Sequence, residues 1–313
     1  MASLLVDAPG LLTTVQDFGR SGYGALGVSP SGAADPVAFR LANLLVGNAS
    51  NTAALEMTLL GGSFVFSDPA HIAVTGADFA PTINGCAVEL WRVHKVSAGT
   101  KIVFGPTKDF ARCYLAIAGG VRVPLFLGSA STHLLSGLGG FKGRALRRGD
   151  ILALGVPNDD RVPQRIPSAS LHSLRPRRIL RVTEGAQIDA FSEEARNTFF
   201  HSKFRVTEQA DRTGLRLDGP AIACNSRAEM ITEGVPLGAI QITPSGQPII
   251  LFVEQQTTGG YPKIANVIGV DLHRLGQLRP RTDVRFERIS LTVARSLWIE
   301  QERLLNHPWQ LFA

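Results

Sequence analysis

The stretch TINGC, residues 82–86, sets an Asn-Gly pair between two short segments and reads as a tight hairpin, because both central positions of such a turn take positive φ. The same grammar extends outward over residues 53–155. Short apolar runs at Ser63–Phe66, His71–Thr75, Ile102–Phe104 and Cys113–Ala118 alternate with clusters of Gly, Pro, Asn and Asp. Regular turn signals with few helical stretches point to barrels or sandwiches.

Further out, TTVQDFGRSGYGALGVSPSG (13–32) holds five glycines. It is too broken for a helix and reads as strand, loop, strand. A helix follows. Asp35 can cap it, Pro36 suits its first position, and Gly47-Asn48 can end it in the left-handed region. Inside it Arg40 and Asn43 are three apart and share a face, which a solvated surface or a ligand would explain. Residues 156–178, rich in Pro, Ser and Arg, read as a linker between domains 1–160 and 161–313. Beyond it strands are expected at Ile179–Thr183, Phe204–Thr207 and Val284–Phe286. Short helices are expected at 192–200, over the helical spacing of 267–275, and at 291–305.

The halves echo one another. Gln16–Arg20 corresponds to Asp211–Gly214, and GTKIVF (99–104) to RTDVRF (281–286). Their shared order predicts a duplicated β unit.

Composition narrows the function classes. Hydrophobic residues make up 44% and charged residues 19% of the 313 residues, which supports packed cores. The net charge of +6 is spread thinly, and no nucleic-acid motif accompanies it. Three widely spaced cysteines form neither a disulfide framework nor a metal pattern, and the seven histidines have no metal spacing, so no metal is expected. There is no membrane-length apolar run, no signal-peptide pattern, no Walker loop and no Gly-x-Ser-x-Gly elbow. A cytosolic protein is the expectation.

The segment richest in chemistry is QQTTGGYPK, residues 255–263. After an apolar strand it presents the amide of Gln256, the hydroxyls of Thr257 and Thr258, the pliable backbone of Gly259 and Gly260, the phenol of Tyr261 and the ammonium of Lys263. Such a turn can cradle an anion. Asp17 and Arg20 form a second candidate, as a ligand site or as a structural ion pair, with Glu56 a candidate partner for Arg20. Asn43, Glu254 and Glu233 are further polar candidates. For Glu233, before Gly234, turn-capping and acid–base work are both open.

These blocks resemble the KipA-like family, which includes the C subunit of 5-oxoprolinase and allophanate hydrolase subunit 2. The resemblance rests on residues 13–35, RLANLLVGN (40–48), ADRTGLRLDG (210–219), ITEGVPLGAIQI (231–242), SGQPIILF (245–252), QTTGGYPKIANVI (256–268) and LGQLRP (275–280). It implies a mainly β protein of two linked, pseudo-duplicated cyclophilin-like barrel units with a few short helices. It implies ATP-dependent opening of the 5-oxoproline lactam, with a KipI-like partner (the B subunit), a further A subunit, and ATP held in or shared with the partner. Lys263, Arg20, Asp17 and Glu254 become the implied catalytic residues. Gln256, Thr257, Thr258, Gly259, Gly260, Tyr261 and Asn43 become the implied substrate contacts. Other relatives imply a carboxyltransferase acting on urea or another amide with carboxybiotin, or a non-enzymatic antagonist of a KipI-like kinase inhibitor. Biotin is not expected on this chain, because no Met-Lys-Met signature is present. Two departures stand out. Glu254 takes a place where the family pattern leads one to expect Asp, and Arg281 a place where it leads one to expect Gly.

Overall fold

The computed structural model describes residues 1–158, 165–167, 171, 178–224 and 230–306, so most of the expected linker lies outside the described residues. The chain divides into two units. One is built on Met1–Arg20 and Ser31–Arg175, the other on Ser21–Pro30 and Pro176–Pro308. Both are mainly β.

The first unit runs β1 (Ser3–Ala8), β2 (Leu12–Gln16), α1 (Pro36–Leu45), β3 (Ala54–Thr58), β4 (Ser63–Phe66), β5 (Ala70–Gly76), β6 (Thr82–Ile83), β7 (Cys86–Ala87), β8 (Val93–Val96), β9 (Lys101–Val103), β10 (Arg112–Ile117), β11 (Val121–Arg122) and β12 (Ile151–Leu154). Two sheets result, in the orders β11-β12-β1-β4-β9-β6-β7 and β2-β3-β10-β5-β8. Alternation sets which side chains face inward: in β1, Leu4 and Val6 are buried while Leu5 is exposed. They join Leu55, Phe64, Val74 and Leu115 in the core. The hairpin expected at Asn84-Gly85 joins β6 to β7, and both residues have positive φ, 50° and 82°.

Helix α1 begins as its sequence demands. The Asp35 carboxylate accepts from Ala38 N at 2.9 Å, and Pro36 opens the first turn. Its inward face buries Phe39, which meets Tyr114 edge-on at 5.9 Å. The Thr75 hydroxyl of β5 donates to Ala38 O at 2.7 Å. Burial of a side chain such as Phe39 contributes roughly 1.5–3 kcal/mol. One expected element is absent. After β2 no second strand forms before α1; a single 3₁₀ turn, Gly24–Leu26, takes its place. Five glycines leave too few side chains to pack a strand.

The second unit runs β13 (Ile179–Glu184), α2 (Glu193–His201), β14 (Phe204–Val206), β15 (Gly214–Asp218), β16 (Glu233–Gly234), β17 (Ala239–Ile242), β18 (Pro248–Leu251), β19 (Thr258–Gly259), β20 (Lys263–Val267), α3 (Leu272–Leu275), β21 (Asp283–Arg288) and α4 (Leu291–Asn306). Seven strands close a barrel in the order β13-β20-β17-β18-β15-β14-β21, and β13 meets β21 in parallel to seal it. The helix expected over 267–275 shrinks to α3, because Val267 is claimed by the ladder, opposite Val182. Phe199 of α2 stacks on Phe286 of β21 at 4.6 Å.

The expected internal echo is visible in hydrogen bonds. In the first unit Thr100 N donates to Ser97 O, Thr100 Oγ1 accepts from Ser97 N, and Gly99 N and Thr100 O bond Phe66. In the second, Thr282 N donates to Arg279 O, Thr282 Oγ1 accepts from Arg279 N, and Arg281 N and Thr282 O bond Val206. The third turn residue is left-handed in both: Gly99 at φ 76° and Arg281 at φ 69°.

Candidate functional site

The polar segment after β18 leaves the barrel wall and returns to it within a few residues. Phe252 and Val253 stay buried, whereas Gln256, Thr258, Gly260 and Tyr261 are exposed and Thr257 and Gly259 half-buried. Thr258 and Gly259 form β19 and pair with β16, Gly259 opposite Glu233 and Gly234 opposite Thr258. A Cβ at 259 would stand 2.5 Å from the Gln241 amide nitrogen, so a larger residue there would displace the Gln241 carboxamide.

The chain then re-enters the barrel at Lys263, which is only 3% exposed. Its ammonium ion-pairs with Glu233, whose side chain is 44% exposed. Glu233 also accepts from Gln187 Nε2 at 2.9 Å, and Gln187 Oε1 accepts from Lys263 N at 3.2 Å. The Lys263 and Gln187 donors hold the Glu233 carboxyl below the usual carboxylate range. Beside them Gln241 Oε1 accepts from Gln256 Nε2, and Gln241 Nε2 donates to Tyr261 O, each at 3.4 Å. Those are long contacts for amide groups. The cluster therefore combines a buried cation, one carboxylate and three carboxamides, a set suited to an anionic, amide-bearing ligand.

Glu254 is occupied otherwise. It forms a buried ion pair with Arg212, and its own N donates to Arg212 O at 2.8 Å. Asp17 and Arg20 belong to the first unit. Asp17 is 3% exposed and accepts from Gly19 N (2.7 Å), Ser129 Oγ (2.7 Å), Ala130 N (2.7 Å) and Ser131 Oγ (2.5 Å). Arg20 is buried, donates to Ser131 O, and lies over the Phe126 ring at 5.5 Å. Glu56 accepts from Ala34 N and from Tyr114 OH, both at 2.7 Å. Burial, with Glu56 and Asp35 nearby, pushes the Tyr114 hydroxyl well above its ordinary value. Asn43 points inward. It is fully buried, donating to Thr52 O at 2.8 Å and accepting from Asn48 Nδ2 at 3.0 Å.

A family model described as the carboxyltransferase domain, subdomain A and B, matches residues 26–288. The chain belongs to this family. It is 36% identical to the 5-oxoprolinase C subunit of Escherichia coli (strain K12) over 304 residues, covering 96% of each chain. It is 34% identical to the urea amidolyase of Saccharomyces cerevisiae over 315 residues, 95% of this chain but 17% of that protein. The crystal structure of the K. lactis urea amidolyase matches with a TM-score of 0.91 at 34% identity, covering 97% of this chain and 20% of that one.

Within this carboxyltransferase-domain chain, sequence reasoning missed Gln187, Gln241, Ser129 and Ser131. Gln241 carries a signal in retrospect: it is the one polar residue of the wholly buried strand AIQI. Gln187 carries none. Among the described residues no group of three or more His, Cys, Asp or Glu could hold a metal ion, and no helix is long and apolar enough to cross a membrane.

Proposed function

We propose that this chain is the C subunit of a cytosolic, ATP-dependent 5-oxoprolinase, active together with a KipI-like B subunit and an A subunit. The observation that carries the reading is the 36% identity over 96% of both chains with a 5-oxoprolinase C subunit. The Lys263 cluster fits its chemistry. A lactam amide is a poor electrophile. Transfer of the γ-phosphoryl group of ATP to the lactam oxygen makes its carbon reactive. Water adds there, the ring C–N bond breaks with a proton moving to nitrogen, and the resulting acyl phosphate is hydrolysed by a second water to glutamate and phosphate. The transferred phosphoryl group and the substrate carboxylate carry negative charge on oxygen through these steps, which a preorganised cation in a low-dielectric site stabilises.

In this reading Lys263 holds the anionic group, and Gln256, Thr257, Thr258, Gly259, Gly260 and Tyr261 shape the ligand's surroundings. Asp17, Arg20, Glu254 and Asn43 act through the framework, and ATP is bound in or shared with the partner. The test is reconstitution with the A and B subunits, following ADP and glutamate. Turnover that depends on both 5-oxoproline and this chain, and is unaffected by avidin, supports the assignment. Avidin-sensitive carboxylation of urea in place of 5-oxoproline cleavage would replace it with a carboxyltransferase.

A further inference from the structure

The partner of Lys263 is peculiar. A buried ammonium has three N–H donors and a large desolvation cost. Among the described residues its anionic partner is Glu233. Glu233 is not anchored in the core. It is exposed, and it sits on β16, a strand of two residues whose ladder is β19 alone. Two-stranded ribbons this short have little stability of their own. The carboxylate reaches the buried cation from outside, on a short ribbon. The Gln256–Gln241 and Gln241–Tyr261 contacts beside it are long for amide groups, at 3.4 Å.

We propose that Glu233 is a built-in stand-in for the ligand's carboxylate: it neutralises Lys263 in the free protein and is displaced when a carboxylate-bearing amide binds. The proposal rests on the 5-oxoprolinase reading for the identity of that amide. Exchange of one carboxylate for another keeps the ammonium paired throughout, and the released Glu233 already faces water. A neutral amide such as urea offers no replacement charge. Displacing Glu233 would then strand a buried cation, which is strongly unfavourable. The pair therefore acts as a selectivity filter, favouring amides that carry an anion over those that do not. The depressed Glu233 carboxyl agrees with a group that is ionised, and so able to compete, at neutral pH.

The decisive measurement uses the purified chain alone, with the Glu233 side-chain carboxylate followed by ¹³C NMR and assigned by its loss in Glu233→Gln. Titration with 5-oxoproline is expected to move that signal to its water-exposed position, and urea to leave it in place. If 5-oxoproline leaves it in place, or urea moves it equally, the proposal is overturned. In the reconstituted complex, Glu233→Gln removes the competing charge and is expected to lower KM for 5-oxoproline about fivefold, the scale of a half-exposed ion pair. An unchanged or raised KM also overturns it. A wild-type complex without 5-oxoproline turnover would sink the functional reading, while the NMR titration still decides the displacement.

Discussion

Asp17 in the first unit and Lys263 in the second are both buried charges beside glycine-bearing turns, and they are satisfied in opposite ways. Asp17 is surrounded by four fixed donors, two backbone amides and two serine hydroxyls, all from its own unit. Lys263 ion-pairs with a carboxylate on an exposed ribbon. The sequence echo places Asp17 opposite Asp211, not Lys263, and those two do behave alike. Each carboxylate accepts from the amide two residues on, at 2.7 Å, and each is followed by a buried arginine. The turn chemistry thus recurs in both units, whereas Lys263 lies outside the echoed motif. A charge saturated by the fold marks architecture; in the reading proposed above, a buried charge paired to an exposed carboxylate marks a place for a ligand.

Substitutions can break this contrast. The largest expected effect is Asp17→Ala, which strands several buried donors and should cost about 4 kcal/mol of unfolding free energy, read by urea denaturation. A loss under about 1 kcal/mol would show the carboxylate to be dispensable to the fold. Arg212→Ala removes the cation of the buried Arg212–Glu254 pair and is expected to cost about 3 kcal/mol. The measurement is the same, and Arg212→Ala with Glu254→Gln together should recover part of the loss. For Lys263→Met the pattern reverses. Stability should be unchanged or raised, because an apolar side chain replaces a buried ammonium. Activity of the reconstituted complex should fall about 100-fold, the scale of one lost electrostatic contact to the reacting group. Unfolding of Lys263→Met would place Lys263 with Asp17 as architecture. The smallest effect tests the echoed turn. Arg281 occupies the left-handed position held by Gly99 in the first unit, and its ion pair with Glu208 is exposed. Arg281→Gly should stabilise the chain by about 1 kcal/mol in denaturant titration.

What the sequence disclosed divides along the same line. Local chemistry was legible: Asp35-Pro36 started α1 and Asn84-Gly85 turned a hairpin. Long-range pairing was not. Asp17 reads as a ligand-site residue or as half of an ion pair with Arg20, and nothing nearby reveals Ser129, 112 residues away, which is folded onto it. Nothing around Glu254 in the sequence reveals Arg212, 42 residues earlier, which ion-pairs with it. Gln187 lies 76 residues before the lysine it contacts, and nothing in its own neighbourhood reveals the meeting. The Gln256–Lys263 segment stands out as a candidate because its polar groups are written contiguously. The failed second strand near Gly24 has the opposite cause: a local reading of glycines as turns, with no side chains to build the strand that the turns would join.

The seam of the barrel in the second unit has a consequence for how the protein is made. Strand β21 pairs with β13 on one side and β14 on the other, so a single late segment closes a wall begun at Ile179. A nascent chain must expose the free edges of both earlier strands until the ribosome has delivered Asp283–Arg288. Unpaired edges are templates for aggregation, and closure between distant segments is slow. A message broken before that point yields a product with two open edges, conspicuous to proteases and chaperones. The last strand of the barrel thereby serves as a certificate that translation has passed through the unit.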